Sequence, residues 1–273
     1  MGSLFYFSYM NHIQLSIEAN EEQQEILISE LSELEAIGFE QTDTHLLAYF
    51  KENDFKNYEV NKLVKEFTFN ITPIPGKNWN AVWESNFETV IVDNFCAIRA
   101  DFHQPVKDIQ HEINITPKMS FGTGHHATTY MMIEQMRHID FAKKRVFDFG
   151  TGTGILAILA QKLGAASVTA IDIDEWSIKN AEENFLKNDV HSIMLYQSSI
   201  LPGDSFDIIL ANINRNVLSG YASSLGKILS VSGVLLVSGI LKEDEKIIVA
   251  AFKKLKLIKV QKNKNWISIL FRN

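Results

Sequence analysis

Strict alternation of apolar and polar residues over Ile13-Gln14-Leu15-Ser16-Ile17-Glu18 predicts a half-buried strand. Asn20, followed three residues on by Gln23, predicts a capping-box start for a helix; Leu27, Leu31 and Leu34 share one of its faces and Gly38 ends it. Residues 39–50 read as two short strands about the polar turn Thr42-Asp43-Thr44. Tyr58, Leu63, Val64 and Phe67 then predict a second helix, and residues 67–72 alternate again before Pro73 and Pro75 close the segment. Strand, helix, strand, strand, helix, strand is the order of a ferredoxin-like split βαβ, so residues 1–75 are expected to form a small α+β domain.

Residues 76–100 read as a junction, with Trp79 and Trp83 one helical turn apart and packing against a domain. From Phe141 onward, buried runs alternate with helical patterns: residues 145–149, 167–173, 193–197, 206–212 and 234–237. That rhythm predicts a mostly parallel, doubly wound α/β sheet for residues 101–273. Two alternating strands about Asn263-Lys264-Asn265 predict an antiparallel hairpin at its edge. The six lysines of residues 253–264 fit the solvated face of such a strand.

Composition narrows the class. The 273 residues are 46% hydrophobic and 22% charged, as in an ordinary globular protein, and are enough for two domains. Cys96 is the single cysteine, which excludes an internal disulfide framework and a Cys-cluster metal site. No apolar run approaches a membrane span, and Met1-Gly2-Ser3-Leu4 lacks the basic start of a secretory signal, so a cytoplasmic protein with no membrane partner is expected. Charge is uneven. Up to Pro75 there are 13 acidic residues against four lysines and no arginine, a net of −9; the whole chain carries −7, which leaves +2 for the rest. An acidic front domain disfavours nucleic acid as its direct ligand and favours a basic partner, although acidic helices also serve solubility alone.

The chemistry concentrates in one turn. Residues 146–149 form a buried strand that runs into Gly150-Thr151-Gly152-Thr153-Gly154 and then a helical pattern, an arrangement that lets a ligand approach bare backbone at a helix N-terminus. The GxGxG spacing is one residue tighter than that of dinucleotide enzymes. Asp172 lies 22 residues after Gly150, at the end of the next strand, where a carboxylate can accept hydrogen bonds from ribose hydroxyls. Asp174 is the better candidate for the N-cap of the following helix. Asp148, just before the glycines, either faces the cationic end of a ligand such as S-adenosylmethionine or fixes the loop. His125 and His126 are adjacent, lack the i,i+4 spacing of a helical zinc site, and are not expected to bind metal.

Residues 148–154 (DFGTGTG) with 171–174 (IDID) resemble the class I S-adenosylmethionine-dependent methyltransferases. Residues 121–129 (FGTGHHATT), Asn212-Ile213 and the Asn78–Trp83 junction narrow the resemblance to the PrmA family, methyltransferases of ribosomal protein L-eleven (L11) of the large subunit. The resemblance covers nearly the whole chain. It implies an N-terminal domain that recognises the ribosomal protein, a linker that lets it swing, and a Rossmann-like catalytic domain. It also implies S-adenosyl-L-methionine as cofactor, contacted by Thr129, Gly150, Asp172 and Asn212, with Gly152, Gly154 and Asp148 in the same loop. Gly124 and His125 would belong to a loop over the methionine end, although the family often shows Pro nearby where this chain has His126 or Ala127.

Asn212 ends a buried strand and is the candidate catalytic residue. Enzymes that methylate amide or base nitrogens commonly follow that position with Pro-Pro and an aromatic; here Ile213-Asn214-Arg215 follow, which points to a flexible amine. Deprotonating a lysine of pKa ~10.4 costs about 4 to 5 kcal/mol at pH 7, an α-amine of pKa ~8 about 1 kcal/mol. The enzyme then needs alignment and desolvation, with the Asn212 carbonyl accepting from the amine. A monomeric protein-amine methyltransferase is expected; the rivals are a methyltransferase for RNA or a small molecule, and a cofactor-binding protein without turnover.

Overall fold

The computed structural model describes residues 11–74, 87–117 and 127–273, which fall into two compact units with the division at Asn86/Phe87. The N-terminal unit runs β1 (His12–Glu18), α1 (Glu21–Glu33), β2 (Gly38–Gln41), β3 (His45–Lys51), α2 (Asn57–Val64) and β4 (Phe69–Ile74). Its antiparallel sheet has the order β2-β3-β1-β4, the split βαβ arrangement expected from the element order. Leu15 and Ile17 of β1 are fully buried, as their alternation requires.

The capping box forms as read: the Gln23 amide donates to Asn20 Oδ1 at 3.0 Å, and the Asn20 amide to Gln23 Oε1 at 3.0 Å. Asn20→Ala is expected to destabilise this unit by about 1 kcal/mol, read as a lower denaturant midpoint for its unfolding. Two local expectations need correction. The helix ends before Gly38: Leu34 caps it and Glu35 takes the left-handed turn at φ 70°, with Gly38 already in β2. Pro73 does not close the last strand but lies within it, paired with Ile13, because β4 is an edge strand and its outward side needs no N–H.

The second unit opens with a small three-stranded sheet, β5 (Val90–Val92), β6 (Cys96–Ala100) and β7 (His111–Ile115), with β5/β6 antiparallel and β6/β7 parallel. Residues 90–92 and 96–100, expected as junction, are therefore strands. Trp79 and Trp83 lie outside the described residues. There follow α3 (Ala127–Met136), β8 (Arg145–Phe149), α4 (Ile155–Lys162), β9 (Ser167–Asp172), α5 (Glu175–Lys187), β10 (Ile193–Gln197), β11 (Phe206–Asn212), α6 (Arg215–Ile228), β12 (Leu229–Leu241), α7 (Glu245–Ala251), β13 (Lys256–Asn263) and β14 (Trp266–Arg272).

These strands build a seven-stranded sheet of order β10-β9-β8-β11-β12-β14-β13, in which β14 alone runs antiparallel to the others. Apolar cores cover both faces. Ile158 of α4, Ala181 of α5 and Met132 of α3 pack on one; Leu218 and Leu225 of α6 with Ile248 of α7 pack on the other. Strand order reverses between β8 and β11, so the crevice at the C-terminal ends of those two strands is where a doubly wound sheet holds its ligand.

Candidate active site

Parallel register brings the predicted residues to one edge of the sheet. Phe149 pairs with both Ile171 and Ala211, so Gly150, Asp172 and Asn212, each one residue further on, emerge side by side. Gly150, Gly152 and Gly154 have φ of 74°, 53° and 81°, a left-handed conformation that side chains resist. The Gly150 and Thr151 amides both donate to the Ile171 carbonyl, at 2.9 and 3.0 Å, and pin the loop to β9. Gly150 is needed for space as well. A Cβ there would lie 2.4 Å from Ile213 Cγ2.

Asp172 does more than project from its strand. Its Oδ2 accepts from the Gly152 amide at 2.9 Å and its Oδ1 from the Asp174 amide at 3.0 Å, so it braces the glycine loop while staying partly open to solvent. Burial pushes its pKa up, and the Asp174 and Gly152 amides pull against that shift. Asp174 caps α5 through the Ser177 amide at 2.8 Å, the role expected of it. The next residue after Asp172, Ile173, is 70% exposed, an apolar surface beside that carboxylate.

Asp148 is buried on the α4 side of β8. Its Oδ2 accepts from Thr151 Oγ1 at 2.6 Å, while Oδ1 has no hydrogen-bond partner among the described residues. The Ala157 amide acts on its charge as well, favouring the ionised form. Burial is the main cause that pushes its pKa up to about 7; the Asp172 charge adds to the rise and the Thr151 hydroxyl opposes it. Of the two roles read for Asp148, fixing the loop is visible in the Thr151 bond. The unpartnered oxygen leaves capacity for a cationic ligand.

Thr129 is buried in the first turns of α3, and its Oγ1 accepts from Asn212 Nδ2 at 3.2 Å across 83 residues. That bond fixes the Asn212 amide plane. Asn212 Oδ1 is buried and has no hydrogen-bond partner among the described residues. An unmade hydrogen bond to a buried carbonyl is costly, so this oxygen suits a donor brought by a ligand. Gly124 and His125 lie outside the described residues. No group of His, Cys, Asp and Glu that could hold a metal is found among the described residues.

Three contributors escaped the sequence reading. Thr151 holds Asp148; Ile213 fills the gap between Gly150 and Gly239; and Gly239 takes φ 82° where its Cβ would meet the Ile213 carbonyl oxygen at 2.5 Å. The signal for Gly239 was available, since a glycine inside an apolar strand marks a bulge or a close backbone approach. The β12/β14 register does shift there, between Val237 and Ile240.

The arrangement combines a bare-backbone helix start, a half-buried carboxylate, a buried carboxylate with one unpartnered oxygen and an orphaned amide oxygen. Residues 10–273 match the model of the family described as ribosomal protein L11 methyltransferase (PrmA). The chain is 40% identical to the ribosomal protein L11 methyltransferase of Porphyromonas gingivalis over 269 residues, 90% of each chain. It is 38% identical to that of Chlorobaculum tepidum, over 95% of this chain and 96% of the other. Among solved structures it is similar to the ribosomal protein L11 methylase of Lactobacillus delbrueckii subsp. bulgaricus, with TM-score 0.63 and 31% identity, covering 68% of this chain and 97% of that one.

Proposed function

Because the chain belongs to the PrmA family of ribosomal protein L11 methyltransferases, we propose that Gly150, Asp172, Asp148, Thr129 and Asn212 hold S-adenosylmethionine and align an L11 amine for methylation. The observation that carries this assignment of residues is the orphaned Asn212 Oδ1 beside a glycine cradle that a Cβ would fill. Bound there, the cofactor supplies an electrophilic methyl group on a sulfonium.

The chain's own groups do the rest. Asp172 presents a carboxylate to ribose hydroxyls, and Ile173 offers an apolar wall to a flat base. Asp148 offers its free oxygen to a positive charge. Asn212, held by Thr129, accepts a hydrogen bond from the incoming neutral amine and so turns its lone pair toward the methyl carbon. With the cofactor held there, the amine would gain the methyl group, the thioether would be the leaving group, and the spare amine proton would pass to solvent. Gly152 and Gly154 shape the loop; Gly124 and His125 complete the proposed cofactor set.

The N-terminal domain, residues 1–75, is assigned to substrate recognition. Its described part has an open cleft of about 600 Å³ whose lining includes Glu18, Asp43 and Glu66, which suits the lysines of a basic ribosomal protein. No helix among the described residues is long and apolar enough to cross a membrane. The reading extends to a monomer acting in the cytoplasm without bound nucleic acid, since one chain carries every group of the site and the front domain is acidic.

Mass spectrometry of purified L11 after incubation with the protein and S-adenosylmethionine tests the whole reading. Mass gains in steps of one methyl are expected, and no gain on L11 with methylated RNA instead would overturn it. Asn212→Ala is expected to slow transfer by about 10- to 100-fold, about 1 to 3 kcal/mol.

A further inference from the structure

A fully buried asparagine outside the proposed cofactor-contacting set joins two parts of the catalytic unit. Asn184, on α5, accepts from the Thr116 amide at 2.8 Å with Oδ1 and donates to the Thr153 carbonyl at 2.8 Å with Nδ2. A second contact, to Asn180 Oδ1 at 3.4 Å, completes its donor capacity. One turn on, Asn188 grips Asn114 at both its amide (2.9 Å) and its carbonyl (2.6 Å) but reaches no loop. The pair thus clips the end of β7 to α5, and Asn184 alone extends the clip to the glycine loop.

The contact to Thr153 falls at a sensitive peptide. Thr153 lies between Gly152 and Gly154, both left-handed, where the backbone has little intrinsic preference. The Thr153–Gly154 peptide is held at one end by the Gly154 amide donating to Thr151 O at 2.8 Å, and at the other by Asn184. Two anchors fix the plane of that peptide, and with it the direction of the first free amides of α4. Phe185, next to Asn184, closes the remaining space: a Cβ on Gly154 would lie 2.5 Å from its ring. An apolar residue would fill the Asn184 site without the cost of burying an amide, so the side chain's two backbone partners are its reason for being polar.

We propose that Asn184 is a positioning residue for the cofactor loop: by donating to Thr153 it holds the glycine turn in its binding-competent form. The inference rests on the reading that this loop binds S-adenosylmethionine. The test measures S-adenosylmethionine affinity by calorimetry, with full-length chains, for wild type, Asn184→Leu, Asn184→Asp and Asn188→Leu between pH 6 and 9. Asn184→Leu, near-isosteric, is expected to weaken binding by at least about tenfold at every pH. Asn184→Asp keeps an acceptor for Thr116 but sets a carboxylate oxygen against the Thr153 carbonyl. It is expected to match the Leu variant at pH 9 and to recover toward wild type at pH 6, where a protonated carboxyl can donate.

Asn188→Leu is expected to lower the melting temperature while leaving affinity within about twofold of wild type. The charged groups nearest this face, Glu183, Lys187 and Asp101, are common to all four proteins, and ratios to wild type cancel the titration of Asp148 and Asp172. The proposal is overturned if Asn184→Leu stays within twofold of wild type, if Asn188→Leu weakens binding as much, or if the Asp variant, relative to wild type at the same pH, is no better at pH 6 than at pH 9. Absent binding by wild type would instead overturn the reading of the loop itself.

Discussion

Gly150→Ala is expected to abolish measurable cofactor binding and methyl transfer while leaving the N-terminal unit folded. Two independent costs meet at this position. The φ of 74° places any L-residue in the left-handed region, at about 1 to 2 kcal/mol. The new methyl carbon would also lie 2.4 Å from Ile213 Cγ2, a distance at which something must shift. The loop cannot shift freely, because the Gly150 and Thr151 amides are tied to Ile171 and Gly152 to Asp172. Together these costs reach roughly 3 kcal/mol or more, a loss of about a hundredfold or more in affinity if the loop must return to its native form to bind. Calorimetry with S-adenosylmethionine reads the effect directly. Ile213→Ala in the same chain removes the overlap but not the backbone strain, so the double variant is expected to regain part of the binding. Equal affinity in both variants would mean that the overlap contributes nothing.

Such a position shows what the linear pattern could and could not reveal. The glycine loop, Asp172 and Asn212 were legible because each ends a strand whose apolar run is unmistakable, and parallel register then does the assembling. The partners were not. Ile213 looks like any isoleucine until the chain folds it between Gly150 and Gly239, and Asn184 meets Thr116 across 68 residues of sequence. The small sheet of residues 90–115 was missed for a different reason. Val90–Val92 is too short to show a period, and Cys96, Ala97 and Ile98 are buried in succession, so no alternation marks β6. At Glu35 the local rule itself gave way, since a helix stop expected at glycine is made by a glutamate with φ 70°.

Asp148 is expected to make stability and cofactor affinity respond to pH in opposite directions. Its carboxyl is raised from 3.8 to about 7 by burial, so the folded protein holds a proton that the unfolded chain releases near pH 4. The stability gained from that proton is fully present below about pH 4 and is lost as pH rises through about 7. A cationic cofactor facing the free Oδ1 acts the other way, because it favours the ionised carboxylate. Affinity is therefore expected to fall by up to about tenfold per unit as pH drops below 7, with close to one proton released on binding at acidic pH. Asp148→Asn keeps an acceptor for the Thr151 hydroxyl but has no charge to lose. At pH 8 the variant is expected to be more stable than wild type by up to about 4 kcal/mol and yet to bind S-adenosylmethionine more weakly, with both pH dependences flattened. Denaturation midpoints and calorimetry in buffers of different ionisation enthalpy separate the two quantities. If the variant keeps the wild-type pH slope of binding, the titrating group is not Asp148, and the positive end of the cofactor must be held elsewhere in the site.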